Sequence, residues 1–296
     1  PNITGVVHGV MPALGSATAY KRVRAGTEGG AGVVIGPDAE TVSAVFANAP
    51  GALQLLPSHL YPMGWLRIGR GDKATFTALA SLPKQDPYTE IYGLPDTAGN
   101  SVRGAWWSLM REELINPAGL RSSGWNRYVE NLTKAKKFHT QLGMRYHRNT
   151  YAFYGADEGS DGLTWGTVRW ACQGVITDVR RKTIKPMVPG ISGETLMNMT
   201  RAFDNGKGDC HVLSGETLYQ MDLGTVDSPG DGTVPVASGK APQQAKEQLD
   251  SSVKQVYAMR GFDHQDSYND VQVRLVVLHS ILQIASQVQL EKTVKA

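Results

Sequence analysis

Short apolar runs alternate with helical patterns at both ends of the chain, which is typical of α/β folds. Residues 3–8 (Ile-Thr-Gly-Val-Val-His) predict a short buried strand that runs into a Gly/Pro loop. A helix is predicted to begin at Ser16, because a serine hydroxyl suits the N-cap position. Further strands are predicted over 209–213, 216–223 and 255–260. We therefore expect an α/β fold with a mostly parallel sheet flanked by helices.

Two longer segments have the 3.6-residue period of amphipathic helices. The first spans 125–142 and has four residues on one stripe: Tyr128, Leu132, Ala135 and His139. The second spans 267–290, and its single apolar stripe is expected to pack on the sheet. That stripe consists of Val271, Leu275, Leu278, Leu282 and Ala285.

Two stretches interrupt the α/β pattern with aromatic residues set among Pro/Gly breaks and charged residues. Residues 61–146 form the first stretch and residues 156–205 the second. We expect the two stretches to form a large, mainly helical insertion. The remaining segments, 1–60, 147–155 and 206–296, are assigned to the α/β core. The aromatic residues of the interrupting stretches include Trp65, Phe76, Tyr88, Tyr92, Trp106, Trp107, Trp165 and Trp170.

Composition excludes several classes of protein. Hydrophobic residues make up 41% of the chain and charged residues 19%, so a large core can form. The formal net charge of +3 is too small to indicate a nucleic-acid partner. No apolar run approaches the roughly 18–20 residues of a membrane span, and the first residues do not have the pattern expected of a signal peptide. Cys172 and Cys210 cannot define a disulfide framework, so we expect two buried free thiols.

Two residues near the C-terminus have the pattern of an acid–base pair. Asp231 stands in the turn Gly-Asp-Gly-Thr-Val-Pro after a predicted strand, and His264 stands in the later loop Phe-Asp-His-Gln-Asp. This order matches the last two members of the sequence serine, acid, histidine in α/β-hydrolases. The carboxylate would fix the imidazole tautomer, and the imidazole would take the proton of a serine hydroxyl. Taken singly, Asp231 is also explained by a plain Asp-Gly turn, and His264 by a structural role.

The nucleophile of such a site is missing from the sequence. No Gly-x-Ser-x-Gly occurs in the 296 residues, although the serine should precede the acid. The chain also begins with Pro1 rather than Met. We therefore expect the C-terminal part of a larger hydrolase, whose serine and oxyanion donors lie outside this chain. On this interpretation the chain alone is inactive.

Several segments resemble lipases of the lecithin:cholesterol acyltransferase and PGAP1-like group. Residues 8–17 are similar to the Thr-Pro-His-x-Gly-Ser-like loop that ends the strand after the nucleophile helix in that group. Residues 47–61 are similar to its Ser-x-Pro…Leu-Leu-Pro…Tyr stretch. Residues 151–155 resemble its next core strand, and 230–235 resemble its acid motif. More particularly, the chain resembles bacterial lipase effectors of type VI secretion and their PGAP1-like relatives.

The resemblance implies a carboxylic-ester hydrolase that acts on a lipid or phospholipid acyl ester without a cofactor. It implies a secreted effector that acts on the membrane lipids of a target cell, or resides in the bacterial cytoplasm before export. The insertions would form a cap whose aromatic side chains contact acyl chains, or else pack the cap's own small core. A rival class is a non-catalytic hydrolase-like module that kept Asp231 and His264 and now binds a ligand or partner.

The first predicted strand implies an incomplete sheet. If residues 3–8 follow the nucleophile strand, the sheet begins at an edge that ought to be interior. Such an edge exposes unpaired backbone together with apolar side chains such as Ile3. We therefore expect the edge at residues 1–10 to be covered by the N-terminal part of the same hydrolase, as a separate piece, or by another chain. The alternative is that His8-Gly9 forms an oxyanion loop, which requires a nucleophile elbow downstream.

A structural calcium ion is a further prediction. In some bacterial lipases an aspartate two residues past the catalytic histidine binds calcium, and Asp266 and Asp270 offer hard oxygen ligands at suitable spacing. The alternative is that these carboxylates favour the positive end of the helix that follows them.

Overall fold

The structure, a computed structural model, describes residues 3–27, 36–72, 74–158, 164–181, 183–186, 190–248 and 253–294. The chain forms two compact units. The first unit consists of Pro1–Ser16, Leu142–Gly166 and Asp227–Ala296, and the second consists of Ala17–Gln141 and Thr167–Val226. Residues 17–60 and 206–226, which the sequence assigned to the α/β core, therefore belong to the second unit. Parts of four predicted segments lie outside the described residues: 1–2 and 28–35 of the segment 1–60, residue 73 of 61–146, residues 159–163, 182 and 187–189 of 156–205, and residues 249–252 and 295–296 of 206–296.

The described elements are numbered along the chain. The strands are β1 Val6–Gly9, β2 Leu66–Arg70, β3 Thr77–Leu82, β4 Thr150–Gly155, β5 Thr164–Asp178, β6 Thr183–Lys185, β7 Thr200–Asp204, β8 Asp209–Ser214, β9 Thr217–Ser228 and β10 Val253–Met259. The α-helices are α1 Ala17–Ala25, α2 Ala39–Asn48, α3 Pro50–Leu53, α4 Pro87–Glu90, α5 Trp125–Leu142, α6 Gly193–Met197, α7 Val236–Gly239, α8 Ala241–Gln248 and α9 Val271–Val294. Short 3-10 turns span Glu112–Leu114 and Ser267–Asn269.

In the described part of the first unit, three parallel strands form a sheet in the order β1-β4-β10. The central strand β4 has the sequence Thr-Tyr-Ala-Phe-Tyr-Gly, and all of its residues are buried. Such a run is typical of a parallel strand that is covered on both faces. Val7 of β1 pairs with Tyr151, and Tyr257 of β10 pairs with Phe153. The predicted parallel sheet flanked by helices is confirmed in this unit.

The C-terminal helix α9 packs on β1 and β4. Near its start, Val273 is fully buried in a cluster with Val10, Phe153 and Phe262. Further along the helix, Ile284 lies against Gly5, where a Cβ atom would come within 2.7 Å of the isoleucine side chain. The helix therefore crosses the face of the sheet that includes β1.

The apolar stripe that was predicted to pack on the sheet faces outward instead. Val271, Leu275, Leu278 and Leu282 are each more than half exposed, and Ala285 is exposed as well. The helix carries apolar residues on two opposite sides. Periodicity identified one of these sides but could not tell which of them the sheet would cover. The prediction for this helix was therefore wrong about the face that packs.

Among the residues described for the second unit, seven strands form a sheet in the order β3-β2-β5-β9-β8-β7, with β6 paired to β5. β2 and β5 are parallel, whereas β8 is antiparallel to both β7 and β9. The insertions are therefore not mainly helical. The sequence concealed the long strand β5 because Gly166, Gln173 and Gly174 interrupt its apolar residues. Helix α5, by contrast, has the predicted bounds, and its predicted stripe is buried.

Most of the aromatic residues of the insertions fill the core of the second unit. Trp65, Trp106 and Trp170 are at most 2% exposed. Trp106 meets Trp170 edge-on at 5.4 Å between ring centroids. The indole N–H of Trp106 donates to the carbonyl of Leu196 at 2.8 Å, and the neighbouring Trp107 is also buried. These tryptophan side chains therefore pack the core of their own unit, which is one of the two alternatives predicted for them.

Two further predictions concern single features of the chain. Cys172 and Cys210 are buried free thiols, as predicted. Burial raises the pKa of Cys172 to about 11 and that of Cys210 to about 12.

Among the helices that the structure describes, none is both long and apolar enough to span a bilayer.

Candidate active site

Asp231 lies in a tight turn that follows β9 in the first unit. One carboxylate oxygen, Oδ1, accepts hydrogen bonds from the backbone N–H groups of Thr233 at 3.0 Å and Val234 at 2.7 Å. Gly232 has a φ of +84°, a left-handed conformation that favours glycine. Its N–H donates to the hydroxyl of Thr164 at 2.9 Å. The turn therefore fixes the carboxylate through Oδ1 and leaves Oδ2 to face another partner.

That partner is His264, in the loop that follows β10. The imidazole Nδ1 lies 3.0 Å from Oδ2 of Asp231. The backbones of the two residues are also joined, because the His264 N–H donates to the Asp231 carbonyl at 2.7 Å. The Asp231 side chain is 1% exposed, whereas that of His264 is 29% exposed. The structure thus brings the two predicted site residues together, with the acid buried and the histidine partly open to solvent.

The hydrogen bond to Asp231 sets the tautomer of His264. An ionised carboxylate can only accept, so Nδ1 carries the proton and donates it to Oδ2. The other ring nitrogen, Nε2, then presents a lone pair, and in the described part of the chain it has no hydrogen-bond partner. This is the arrangement in which an imidazole acts as a general base.

The serine hydroxyls next to this pair have other partners. Ser267 is buried, and its hydroxyl donates to the backbone carbonyl of His264 at 3.1 Å. The hydroxyl of Ser16 donates to the carbonyl of Thr233 at 2.9 Å. Both hydroxyls therefore bond to backbone carbonyls of the site loops rather than to Nε2.

Asp157 is a residue of this site that the sequence analysis missed. Its backbone pairs with Gly230, just before Asp231, through two N–H···O=C hydrogen bonds of 3.1 Å. Its carboxylate oxygens each lie 3.0 Å from the N–H of Gly261, just before His264. Asp157 therefore ties the acid loop to the histidine loop. Its sequence signal was its place directly after the core strand β4, where polar residues of parallel sheets gather.

The aspartates after His264 have hydrogen-bond partners within their own loop. Asp270 Oδ1 accepts from the N–H of Val273 in the first turn of α9 at 2.9 Å. Asp266 Oδ1 accepts from the side-chain amide of Asn269 at 3.0 Å. Within the residues described, no group of three or more His, Cys, Asp or Glu side chains is placed to hold a metal ion. The cap at Val273 is the helix N-terminal role considered above, and calcium at Asp266 and Asp270 stays a prediction.

The His8-Gly9 segment lies at the end of β1, which has β4 as its one strand neighbour among the described residues. The His8 ring meets Tyr146 edge-on, and burial lowers the pKa of the His8 imidazole below its usual value. Gly9 lies where a Cβ atom would clash with Phe153 and Tyr268. This close packing explains the glycine without an oxyanion role.

Comparison of this chain with solved structures finds a similar chain. A chain in the crystal structure of the Tle4-Tli4 complex is similar to this chain, with a TM-score of 0.66 and 29% sequence identity. The match covers 96% of this chain and 55% of that chain, so this chain spans about half the length of its structural neighbour. Comparisons with protein-family models and with curated proteins find no match.

Proposed function

We propose that the first unit supplies the acid and the base of a serine ester hydrolase of lipase type. The observation that carries this proposal is the 3.0 Å hydrogen bond between the buried Asp231 carboxylate and Nδ1 of His264. The order of the two residues along the chain supports the same assignment, because in α/β-hydrolases the acid precedes the histidine. The similarity to the Tle4-Tli4 chain supports a lipase effector of the type VI secretion kind.

In this mechanism His264 and Asp231 activate a serine from residues outside this sequence. The Nε2 lone pair of His264 takes the proton of the serine hydroxyl as its oxygen bonds to the ester carbonyl carbon. Asp231 stabilises the resulting imidazolium through Nδ1–H···Oδ2 and stays ionised itself. The imidazolium then gives its proton to the departing alcohol. Water repeats the cycle on the acyl-enzyme and releases the carboxylic acid.

The proposed substrate is an acyl ester of a lipid or phospholipid, and the proposed setting is a secreted effector that acts on membrane lipids of a target cell. Both rest on the resemblance to type VI secretion lipases and on the similarity to the Tle4-Tli4 chain. The second unit includes most of the two stretches that the resemblance assigns to a cap, together with residues 17–60 and 206–226. Because the nucleophile lies elsewhere, these 296 residues alone are proposed to be inactive.

The test is substitution of both residues in the complete enzyme. His264→Ala should lower kcat on a p-nitrophenyl ester by about 10⁴-fold, because the serine loses its base. Asp231→Asn should do nearly as much, because the amide favours the wrong tautomer of His264. His279→Ala, which removes an exposed histidine of α9, is the matched control and should leave kcat unchanged. Near-normal turnover by a folded His264→Ala enzyme would refute the assignment.

A second candidate function is a non-catalytic hydrolase-like module that binds a ligand or partner. The observation that favours it is the absence of a Gly-x-Ser-x-Gly elbow from the sequence. The complete reading frame separates the two candidates. A Gly-x-Ser-x-Gly after a strand upstream of residue 1 supports the hydrolase. Its absence from the complete protein supports the binding module.

A further inference from the structure

A cavity lies on one face of the sheet of the second unit. Its volume is about 390 Å³, which is within the roughly 300–1,000 Å³ of small-molecule sites. The described residues that line it all lie between residues 176 and 220, on strands β5 to β9 and the loops beside them. This cavity, called here the sheet-face cavity, therefore belongs to the second unit and does not include Asp231 or His264.

Strand β8 separates the sheet-face cavity from the core of the unit. Cys210 and Val212 of this strand are fully buried. Asp209 and His211 alternate with them along β8 and therefore point to the opposite face, where they line the cavity. Phe203 of β7 pairs with His211, so its half-exposed ring lies on the same face. The cavity is thus formed by the side of the sheet that the core does not use.

Two carboxylates stand directly opposite each other on this face. Asp209 of β8 pairs with Asp222 of β9. The side-chain amide of Gln220 donates to both carboxylates, at 2.6 Å to Asp209 and 2.7 Å to Asp222. His211 Nε2 also lies 3.3 Å from Asp209.

The negative charge of this pair is not neutralised by a strong cation. In the part of the chain that the structure describes, neither carboxylate forms an ion pair with a Lys or Arg side chain. Burial raises the pKa of the Asp222 carboxyl above its usual value, and the neighbouring charge of Asp209 acts in the same direction. Like charges directly opposite on neighbouring strands destabilise a sheet. A pair that costs stability and lines a cavity is typical of a binding site.

The other walls of the sheet-face cavity are apolar. Ile176 of β5 pairs with Ile184 of β6, and both line the cavity together with Val179 and Phe203. The Phe203 ring lies 5.2 Å from the His211 ring, measured between centroids. Apolar walls with a few convergent polar groups are typical of sites for small organic molecules. A ligand of this cavity therefore needs an apolar body and a group that suits carboxylates.

We propose that the sheet-face cavity binds a small organic cation, in which one ammonium group is carried on an apolar body. The ammonium would donate to Asp209, and the charge of Asp222 beside it would add to the attraction. Ile176, Ile184 and Phe203 would cover the apolar body. This binding function is additional to the proposed ester hydrolysis and uses a different unit of the chain.

The chemistry of the cavity favours an ammonium over other ligands. An ammonium has three donors and no acceptor, whereas ionised carboxylates only accept. An anion would be repelled by Asp209, and a neutral apolar molecule would leave that charge unneutralised. A metal ion is a poor fit, because no described group of three or more His, Cys, Asp or Glu side chains is placed to hold one.

The test compares three probes that share an apolar body and differ in charge. Phenethylamine is a cation at neutral pH, phenethyl alcohol is neutral, and hydrocinnamate is an anion. Each is titrated into the 296-residue chain at constant ionic strength, and ligand-detected NMR gives its Kd. We expect phenethylamine to bind at least about tenfold more tightly than phenethyl alcohol, because hydrogen bonds between charged groups are the stronger ones. Hydrocinnamate should bind most weakly.

Substitutions assign the binding to this cavity. Asp209→Asn should remove the preference for the amine over the alcohol, whereas Phe203→Ala should weaken both probes alike. Glu216→Gln is the matched control, because it makes the same charge change at an exposed position in the turn between β8 and β9 and should leave each Kd unchanged. Urea unfolding checks the fold of each variant. Asp209→Asn should unfold at the same urea concentration as the parent or a higher one, since it relieves the repulsion by Asp222. If Asp209→Asn does not fold, Asp222→Asn takes its place and should reduce the same preference.

Several results would overturn the proposal. Equal Kd values for the amine and the alcohol, or an unchanged preference in a folded Asp209→Asn variant, would show that the carboxylates do not select a cation. Displacement of the amine by calcium chloride, but not by sodium chloride of the same ionic strength, would assign the carboxylates to a metal ion instead. His264→Ala should keep the affinity for the amine. Loss of amine binding in that variant would place the probe at the acid–base pair of the first unit.

Discussion

Asp157 connects the two loops that carry the acid and the histidine. Its backbone bonds fix Gly230 and its carboxylate holds the N–H of Gly261, so it touches neither ring nitrogen of His264. In the proposed function Asp157 is a positioning residue, because the 3.0 Å contact between Asp231 and His264 depends on the distance between their loops. Small errors in the placement of a base are costly, since proton transfer needs hydrogen-bond geometry.

We predict that Asp157→Ala lowers kcat of the complete enzyme about tenfold and leaves KM unchanged, because it loosens the base and not the substrate site. Asp157→Asn should restore most of the activity, since its amide oxygen can still accept from Gly261. The measurement is steady-state kinetics on a p-nitrophenyl ester. Glu158→Ala is the control, because Glu158 pairs with Arg260 of the same loop at an exposed position. A fall in kcat as large in Glu158→Ala would show that loop charge, and not the Gly261 hydrogen bond, matters.

At the scale of single elements, helix α9 has two apolar sides that differ in burial. Its buried side packs on the sheet of the first unit, and its opposite side is exposed. The exposed side consists of Val271, Leu275, Leu278, Ile281 and Leu282. The helix offers two isoleucines, Ile284 at 8% exposure and Ile281 at 51%, that differ in burial but share the same backbone context. The pair allows the packed face to be identified by stability alone.

We predict that Ile284→Ala lowers the free energy of unfolding of the 296-residue chain by about 2–4 kcal/mol, because it leaves a cavity over Gly5. Ile281→Ala should cost less than about 1 kcal/mol, because most of its side chain is already in water. Urea unfolding of the two variants beside the parent chain gives both values. A larger loss for Ile281→Ala would mean that the side of the helix with Ile281, and not the side with Val273, packs on the sheet.

At the scale of the whole molecule, β5 and β9 carry the chain between the two compact units. The second unit contains both cysteines, and burial raises the pKa of the Cys172 thiol from 9.0 to about 11. The folded chain therefore keeps this proton to higher pH than the unfolded chain does. The stabilising contribution of the thiol is fully present below pH 9 and is lost as the pH rises towards 11.

We predict that the free energy of unfolding of the chain falls between pH 9 and pH 11, measured by urea unfolding under reducing conditions. Cys172→Ala should flatten this fall by up to about 1.4 kcal/mol per pH unit, because one proton fewer is released on unfolding. Other alkaline groups, such as the buried Tyr20, contribute equally to both proteins and cancel in the comparison. An unchanged slope in Cys172→Ala would show that this thiol ionises as easily in the folded chain as in the unfolded one.

The sequence by itself determined the features that depend on local order along the chain. Asp231 and His264 were identified from their turn, their loop and their order, and the structure places them 3.0 Å apart. Helix α5 was found with its bounds and its buried stripe, because its apolar period is regular. The parallel strand β4 was expected because residues 151–155 resemble a core strand of the lipase group. These signals are local, since a turn, a helix period or a strand run is complete within a few residues.

The tertiary structure alone decided the features that depend on partners distant in the chain. The face of α9 with Val273 packs on the sheet, although the opposite face is equally apolar. The apolar period along the helix is the same for both faces, so it cannot show which of them is buried. The buried guanidinium of Arg24 meets the carboxylate of Asp204 at 2.8 Å across 180 residues, which neither residue's neighbours indicate. Asp157 likewise became a site residue because β4 and β10 are adjacent in the sheet. Burial and pairing depend on what the fold brings against a side chain, and the sequence lists the side chains without these contacts.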